Sequence, residues 1–403
     1  MFKSQFIKTK ILVSLRYLFL IIFFPLTIIF AFFIKLIRPV LLIRWARLDN
    51  AKFGHFATNV EIYLLEKKFA IDKPKENYID FFYKPELKIS NKQLDKMWKK
   101  KLIILPWFII YPLEWCRQKN LLFKNENYFF TTSKDRYNLY DKTKPILSFS
   151  KKEKKRGFEF LRKIGLPENT RFVCMHVRDG AYHPQKSFAY HDYRNCDVEN
   201  FKSACKFLSS KNIYVIRMGS KVGKKISYSD PKIIDYATNG MRTDFLDIFL
   251  SSECLFWIST GSGIDQMSKL FRKPHLNVNQ VPIGHVATYQ KKSLIVFKHF
   301  FDKKTNDKLN IDMLKLKNLC FATTADEFEN KNVVIRENNE NEIESATKEI
   351  FFRVDNNFWD MWDETKDKQK KFWNKFPYQK EFHGKIVANI GKEFLIDNEN
   401  FYN

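Results

Sequence analysis

"RFVCMHVRDGAY", residues 171–182, is the stretch on which the reading of this chain turns. The run "FVCMHV" has the length and continuous apolar character of a strand buried on both faces. It ends in Arg178, Asp179 and Gly180, which puts a guanidinium on a glycine turn at the carboxyl end of a buried strand. A surface loop with Arg178 in a salt bridge is one explanation, and a pocket built to hold an anion is the other.

The same pattern recurs on either side. "NIYVIRMGS" (212–220) is a strand ending in Arg217 and Gly219, and "CLFWISTGSG" (254–263) is a strand ending in the loop Thr260, Gly261, Ser262, Gly263. Helical stretches separate them: 151–165, closed by Gly165 with Pro167 beyond; 197–210, with Asp197 as N-cap; and 242–252. "IIDYA" (233–237) and "KPHLNVN" (273–279) are further short strands, and "IDQMSKLF" (264–271) a helix. In the first half "LLIRWARL" (41–48), "YIDFFY" (78–83) and "KLIILPW" (101–107) are strand candidates. Between the first two, "GHFATNVEIYLLEKK" (54–68) has the form of a glycine turn opening an amphipathic helix. Strand and helix in alternation predict an α/β protein with doubly wound parallel sheets, whose ligands bind beyond the carboxyl ends of the strands.

If those strands are parallel neighbours, Arg178, Arg217 and "TGSG" open onto one edge. Guanidiniums offer paired donors to phosphate oxygens, and a glycine-rich loop offers bare amides with a helix dipole behind them. The pattern is that of a diphosphate site. "YHDYRNCD" (190–197) adds Arg194 and Asn195, which either reach the same crevice or cap the following helix.

With 403 residues the chain is too long for one simple core. Apolar residues at 45% and aromatics at 16% suffice for packed domains. The expected division is a membrane-associated segment (1–48), a first α/β domain (49–150), a second α/β domain (151–330) and a C-terminal helical extension (331–403). The turn-rich stretch 118–150 links the halves. The net charge of +25 suits phosphorylated substrates or an anionic membrane surface; no basic stripe interleaved with aromatics marks a nucleic-acid module. Six cysteines are scattered through apolar runs without CxxC spacing, which reads as buried thiols in a reducing compartment rather than a zinc site or disulfide frame.

Residues 17–34, "YLFLIIFFPLTIIFAFFI", carry no charge and reach about 27 Å as a straight helix. Pro25 sits near the middle and both flanks are basic. A shallow hairpin with both ends in the cytoplasm is favoured over a single signal anchor, with membrane contact over residues 11–47.

"HVRDGAY" resembles the His-x-Arg-x-Gly-Asp-Tyr signature of fucosyltransferase-type enzymes. It keeps His176, Arg178, Gly180 and Tyr182 and departs at Ala181, where the signature has Asp. Residues 41–395 resemble, more broadly, a family of bacterial glycosyltransferases associated with surface-polysaccharide synthesis, through "GHFATNVEIYL", "CMHVRDGAY", "DYRNCDVENF", "YVIRMG", "DFLDIFLSSECLFWISTGSG" and "FRKPHLNVN". The resemblance implies a GT-B fold of two Rossmann-like domains, a nucleoside-diphosphate sugar as donor, and contact of Arg178 with the leaving diphosphate. The Ala181 departure leaves the sugar open.

The expected reaction is metal-independent and inverting, since no Asp-x-Asp pair is present; "DFLD" (Asp244, Asp247) lies on a helix, where it caps or faces solvent. His55, in "FGHF", is the first candidate for the base that takes the acceptor proton, with Asp179 and Glu61 behind it. A histidine that merely starts a helix is the competing explanation for His55. The donor site is expected to gather His176, Gly180, Tyr182, Arg194, Asn195, Arg217, Gly219 and residues 260–263. The expected partners are a nucleotide-sugar donor, a glycan or lipid-linked acceptor and the bacterial inner membrane, with the catalytic domains on its cytoplasmic side. No cofactor and no nucleic acid are expected. A membrane-tethered, nucleotide-binding scaffold without catalysis is the alternative from another class.

Overall fold

A computed structural model of the chain describes residues 2–121, 127–129, 131–167, 169–182 and 186–403, without the side chains of residues 2–13, 15–17, 182 and 186–188. It divides into two compact units, residues 1–132 and 133–403. That boundary lies inside the turn-rich stretch read as the link.

The first unit opens with one continuous helix, Phe2–Ile37, whose stretch Leu18–Ile37 is long and apolar enough to cross a membrane. The expected hairpin at Pro25 does not form. Proline removes one helical N–H, and the helix runs through it, with the Thr27 hydroxyl donating to the Phe23 carbonyl at 2.9 Å. Residues 42–47, counted into the membrane segment, form instead the buried strand β1 (Leu42–Arg47). Strand β2 (Tyr78–Tyr83) pairs with it in parallel, Leu42 opposite Tyr78 through Arg47 opposite Tyr83. Single parallel bridges widen this sheet on both sides, Phe82 to Ile104 and Trp45 to Tyr128. "KLIILPW" yields only that bridge at Ile104 because Pro106, without an N–H, cannot extend the ladder; it precedes the helix Trp107–Gln118 instead. The helix Phe53–Lys68 is buried at every position from Phe56 to Tyr63, so it is not the amphipathic element the sequence suggests.

The second unit holds strands β3 (Phe172–His176), β4 (Tyr214–Arg217), β5 (Ile233–Ile234), β6 (Trp257–Ser259), β7 (His275–Gln280), β8 (Ser293–Phe297), β9 (His299–Asp302), β10 (Val333–Arg336) and β11 (Asn389–Ile390). Seven of them form one sheet in the order β11-β8-β7-β6-β3-β4-β5, with every pair parallel, while β9 and β10 form a separate antiparallel pair. From β3 the chain winds outward to β5, then returns to β6 and winds the other way. Crossovers of one hand running in opposite directions put helices on both faces. The strands are buried runs such as "FVCM" and "SLIVF", as a covered parallel sheet requires. The helices Lys202–Ser210 and Glu340–Asp355 pack into this core. Residues 331–403 are therefore part of this unit: they supply the edge strand β11 and a core helix. The architecture is α/β with a large doubly wound parallel sheet, preceded by an apolar helix.

Candidate functional site

The winding reverses between β3 and β6, so their carboxyl ends flank the topological switch point. Arg178 leaves β3 there and Thr260–Gly263 leaves β6. Two bonds clamp the strand ends together: the Arg178 amide donates to the Thr260 hydroxyl at 2.9 Å, and the Thr260 amide to the His176 carbonyl at 3.3 Å. The 190–197 stretch joins them, since the Cys196 amide donates to the Arg178 carbonyl at 2.9 Å and Arg194 Nη2 to the Gly261 carbonyl at 2.6 Å.

Arg178 and Arg194 thus share one rim. Among the described residues no carboxylate lies within ion-pair distance of either. Burial, and the Arg194 guanidinium beside it, push the Arg178 guanidinium below its ordinary range. Nε of Arg178, Oδ1 of Asn195 and Oγ of Ser262 are buried and have no hydrogen-bond partner among the described residues. Buried polar atoms are nearly always paired; the Arg178 Nε–H and the Ser262 hydroxyl are donors that suit the oxygens of an anion, while the Asn195 Oδ1 accepts and suits a ligand hydroxyl. Asn195 is held by its neighbours: its Nδ2 donates to Asp192 at 2.8 Å and its carbonyl accepts from Lys298 Nζ at 2.6 Å.

Other expectations are corrected. Arg217 does not face the crevice. Its side chain is 1% exposed, donating to the Lys224 carbonyl at 2.7 Å and to Asp235 at 3.2 Å, which ties the loop after β4 to the sheet. Gly219 serves packing: a Cβ there would lie 2.9 Å from Val222, and its φ of +157° lies at the margin of the region favouring glycine. The "TGSG" amides are not bare. Gly261 N–H donates to Ser259 Oγ at 3.0 Å and Ser262 N–H to Asp265 Oδ2 at 2.6 Å, with the Ser259 hydroxyl also on Asp265. The helix behind the loop is only Gln266–Leu270, so no dipole of useful length backs it. What the loop contributes is the Ser262 hydroxyl, the carbonyl that orients Arg194, and exposed Gly263.

His176 keeps its Nδ1 2.9 Å from the Met218 carbonyl, and burial lowers its pKa, so it braces β3 against β4 as a neutral ring. Asp179 accepts the Ala181 amide at 3.0 Å on one oxygen and the Gly223 amide at 2.8 Å on the other. It shapes two loops, with both carboxylate oxygens engaged by backbone amides. Gly180 is exposed, with Asn195 Nδ2 3.4 Å from where its Cβ would stand. Tyr182 ends the turn Gly180–Tyr182, and its side chain lies outside the described residues. In the first unit, His55 is exposed on the first turn of its helix, whereas Glu61 is fully buried and cannot meet an acceptor. Asp247 does not face solvent either: it is buried and pairs with Arg242 at 2.6 Å.

The residues the sequence did not offer are Lys298, Asp265 and His285. Lys298 lies 103 positions from the carbonyl it holds. Asp265, three residues beyond Ser262, is a local acceptor spacing that could have been noticed. His285 follows β7; burial, with Lys134, Arg194 and His383 adding to it, pushes its imidazole down to about 4, so another neutral ring stands near the basic rim.

No family model matches the sequence, and no curated protein does. Among solved structures the chain is similar to an E. coli ADP-heptose lps heptosyltransferase II, with 11% identity, TM-score 0.39, and 63% of this chain and 90% of that one covered. It is similar to a glycosyl transferase family 9 structure from Veillonella parvula DSM 2008, with 10% identity, TM-score 0.40, and 64% and 86% covered. It is also similar to the wall teichoic acid polymerase TagF, with 10% identity, TM-score 0.28, and 78% and 90% covered. The fold described above rests on strand order and register, not on these similarities.

Proposed function

We propose that the protein is a glycosyltransferase of the GT-B kind, moving a sugar from a nucleoside-diphosphate donor to a glycan or lipid-linked acceptor in surface-polysaccharide assembly. The observation that supports this is the rim at the switch point: Arg178 and Arg194, without ion-pair partners among the described residues, with the Ser262 hydroxyl and the Asn195 oxygen beside them. Departure of a nucleoside diphosphate builds negative charge on its terminal phosphate. The Arg194 guanidinium, held by the Gly261 carbonyl, and the Arg178 guanidinium, projecting from a backbone clamped at its amide and carbonyl, stabilise that charge without a metal.

In this reading His55 takes the acceptor proton and the reaction inverts the sugar. The N-terminal helix keeps the enzyme at the bacterial inner membrane, where lipid-linked acceptors reside. The test is a thermal-shift panel of nucleoside diphosphates against the full chain in detergent. One nucleotide should raise the melting temperature in the wild type and leave Arg178→Ala unmoved. No shift with any of them would sink the donor assignment.

A specific observation also favours the scaffold reading. Both carboxylate candidates for the base are withdrawn, Asp179 by its amide bonds and Glu61 by burial. Nucleotide binding without turnover of radiolabelled nucleotide sugars would establish the scaffold instead.

A further inference from the structure

The apolar N-terminal helix is covered along one face. Leu20, Thr27 and Ala31 are buried and Phe24, Ile34 and Arg38 half-buried, spaced alternately by four and three residues, so they form one seam along the helix. The seam docks on the first unit's own body. Ala31, Phe24 and Ile34 belong to one cluster with Trp45, Tyr83 and Ile110. At the near end the Phe19 ring lies 5.4 Å from Trp107, and the Phe24 ring 6.1 Å from Trp115. Around the remaining circumference the helix exposes large apolar side chains from Leu18 to Ile37.

A helix that crosses a bilayer perpendicularly needs about 20 apolar residues surrounded by lipid or by other spanning elements. Here the 16-residue stretch from Phe19 to Ile34 carries the seam that packs on a folded α/β unit. Standing the helix upright would carry β1, β2 and their loops to the same depth. The unit on which the seam docks brings with it sheet edges, irregular loops and the ion pair of Arg44 with Asp80 at 2.8 Å. Hydrocarbon does not tolerate such edges and loops.

We infer that the helix lies in the plane of one leaflet and that the neighbouring helix Trp107–Gln118 is embedded beside it, the two forming a monotopic platform under the first unit. The second helix has the surface for this. Phe108 and Ile109 are 48% and 41% exposed, and the Phe108 ring stands 6.5 Å from Phe19, so the exposed apolar surface continues from one helix to the other. The surface around it fits an anionic lipid face. Residues 1–132 carry 23 lysines and arginines against 10 aspartates and glutamates, and Lys99, Lys100 and Lys101 stand exposed just before the second helix. The occupant is thus one leaflet of an anionic bilayer. This inference rests on the membrane reading of the helix and adds its orientation and a second inserted element.

The test uses the full chain in vesicles of phosphatidylethanolamine and phosphatidylglycerol. All six native cysteines are buried, so introduced ones take an environment-sensitive fluorophore selectively. Single cysteines replace Leu18, Ile29, Leu36, Ile109 and Tyr378, all exposed. Quenching by lipids carrying nitroxides at shallow or deep acyl positions then reports depth. Labels at 18, 29 and 36 should show one common depth, the label at 109 should be quenched several-fold more by lipid nitroxide than by aqueous iodide, and the label at 378 should show the reverse. A graded profile with position 29 deepest, or a label at 109 open only to iodide, overturns the platform and leaves membrane insertion standing. Iodide quenching at 18, 29 and 36 without lipid quenching overturns the membrane reading itself, and two apolar surfaces meeting between copies of the chain would give that result.

Discussion

The backbone amide of Arg178 donates to the hydroxyl of Thr260 at 2.9 Å, joining the end of β3 to the end of β6 where the sheet reverses its winding. The bond fixes the backbone from which the Arg178 guanidinium projects. Thr260 is buried, so water has little access to replace its hydroxyl. Thr260→Val keeps the shape and removes the acceptor, leaving an amide unpaired. It should cost about 1–2 kcal/mol in chemical denaturation and weaken nucleoside-diphosphate binding. Thr260→Ser should retain both properties. Equal behaviour of the two variants would show that the clamp does not position the rim.

Arg178 follows the end of β3 and Arg217 ends the adjacent strand β4, yet their variants should behave in opposite ways. Arg178 has no ion-pair partner among the described residues, and burial disfavours its charge. Arg178→Ala should melt within a few degrees of the wild type and lose the nucleotide-induced shift. Arg217 is buried on the Lys224 carbonyl and Asp235. Arg217→Ala should lower stability by about 2–3 kcal/mol, the cost of opening a buried network. Melting curves with and without nucleotide separate the two roles.

Burial pushes the Asp247 carboxyl up to about 6, with Arg242 opposing the rise. A carboxyl whose folded pKa lies above its unfolded value favours the native state most at low pH, and that contribution is lost as pH rises through about 6. Removing Arg242 raises the folded pKa further. Arg242→Ala should therefore cost little at pH 5, where Asp247 is mostly protonated in both proteins. At pH 8 it should cost about 3 kcal/mol, because a buried carboxylate is left without its cation. Urea midpoints at the two pH values check this; an equal cost at both would show that the pair is not electrostatic.

Gly157 sits inside the helix Lys151–Lys163, where propensity alone favours alanine by about 1 kcal/mol. A Cβ there would fall 2.3 Å from the Phe249 ring, which is fully buried. Gly157→Ala should therefore destabilise, by about 1–3 kcal/mol, as overpacking does. A rise in melting temperature would mean that the ring yields freely.

Much of the fold was legible because strand and helix signals are local. Strands form at "FVCMH", "YVIR" and the last three residues of "CLFWIS", within the apolar runs that suggest them, and the helix after Ser150 begins where a capping box with Glu153 forms. The candidate site was half legible. Arg178, Arg194 and Asn195 lie together at the switch point, one of the two placements left open for Arg194 and Asn195, whereas Arg217 is consumed by Asp235, 18 residues on, and the "TGSG" amides by Ser259 and Asp265. A guanidinium at a strand end reads the same whether its neighbours leave it free or not. The N-terminal helix was opaque for a related reason. Its seam and its exposed surface are built from the same apolar residue types, so only the body packed against them distinguishes one side from the other.

The sequence by itself determined the α/β alternation, the winding of the large sheet and the edge on which polar chemistry gathers, because periodicity, caps and turns act over a few residues. Only the tertiary structure decided which charges on that edge stay unpaired and how the apolar helix can meet a membrane. Pairing and packing depend on groups many residues apart, such as Asn195 and Lys298 or Ala31 and Ile110, brought together by the finished fold.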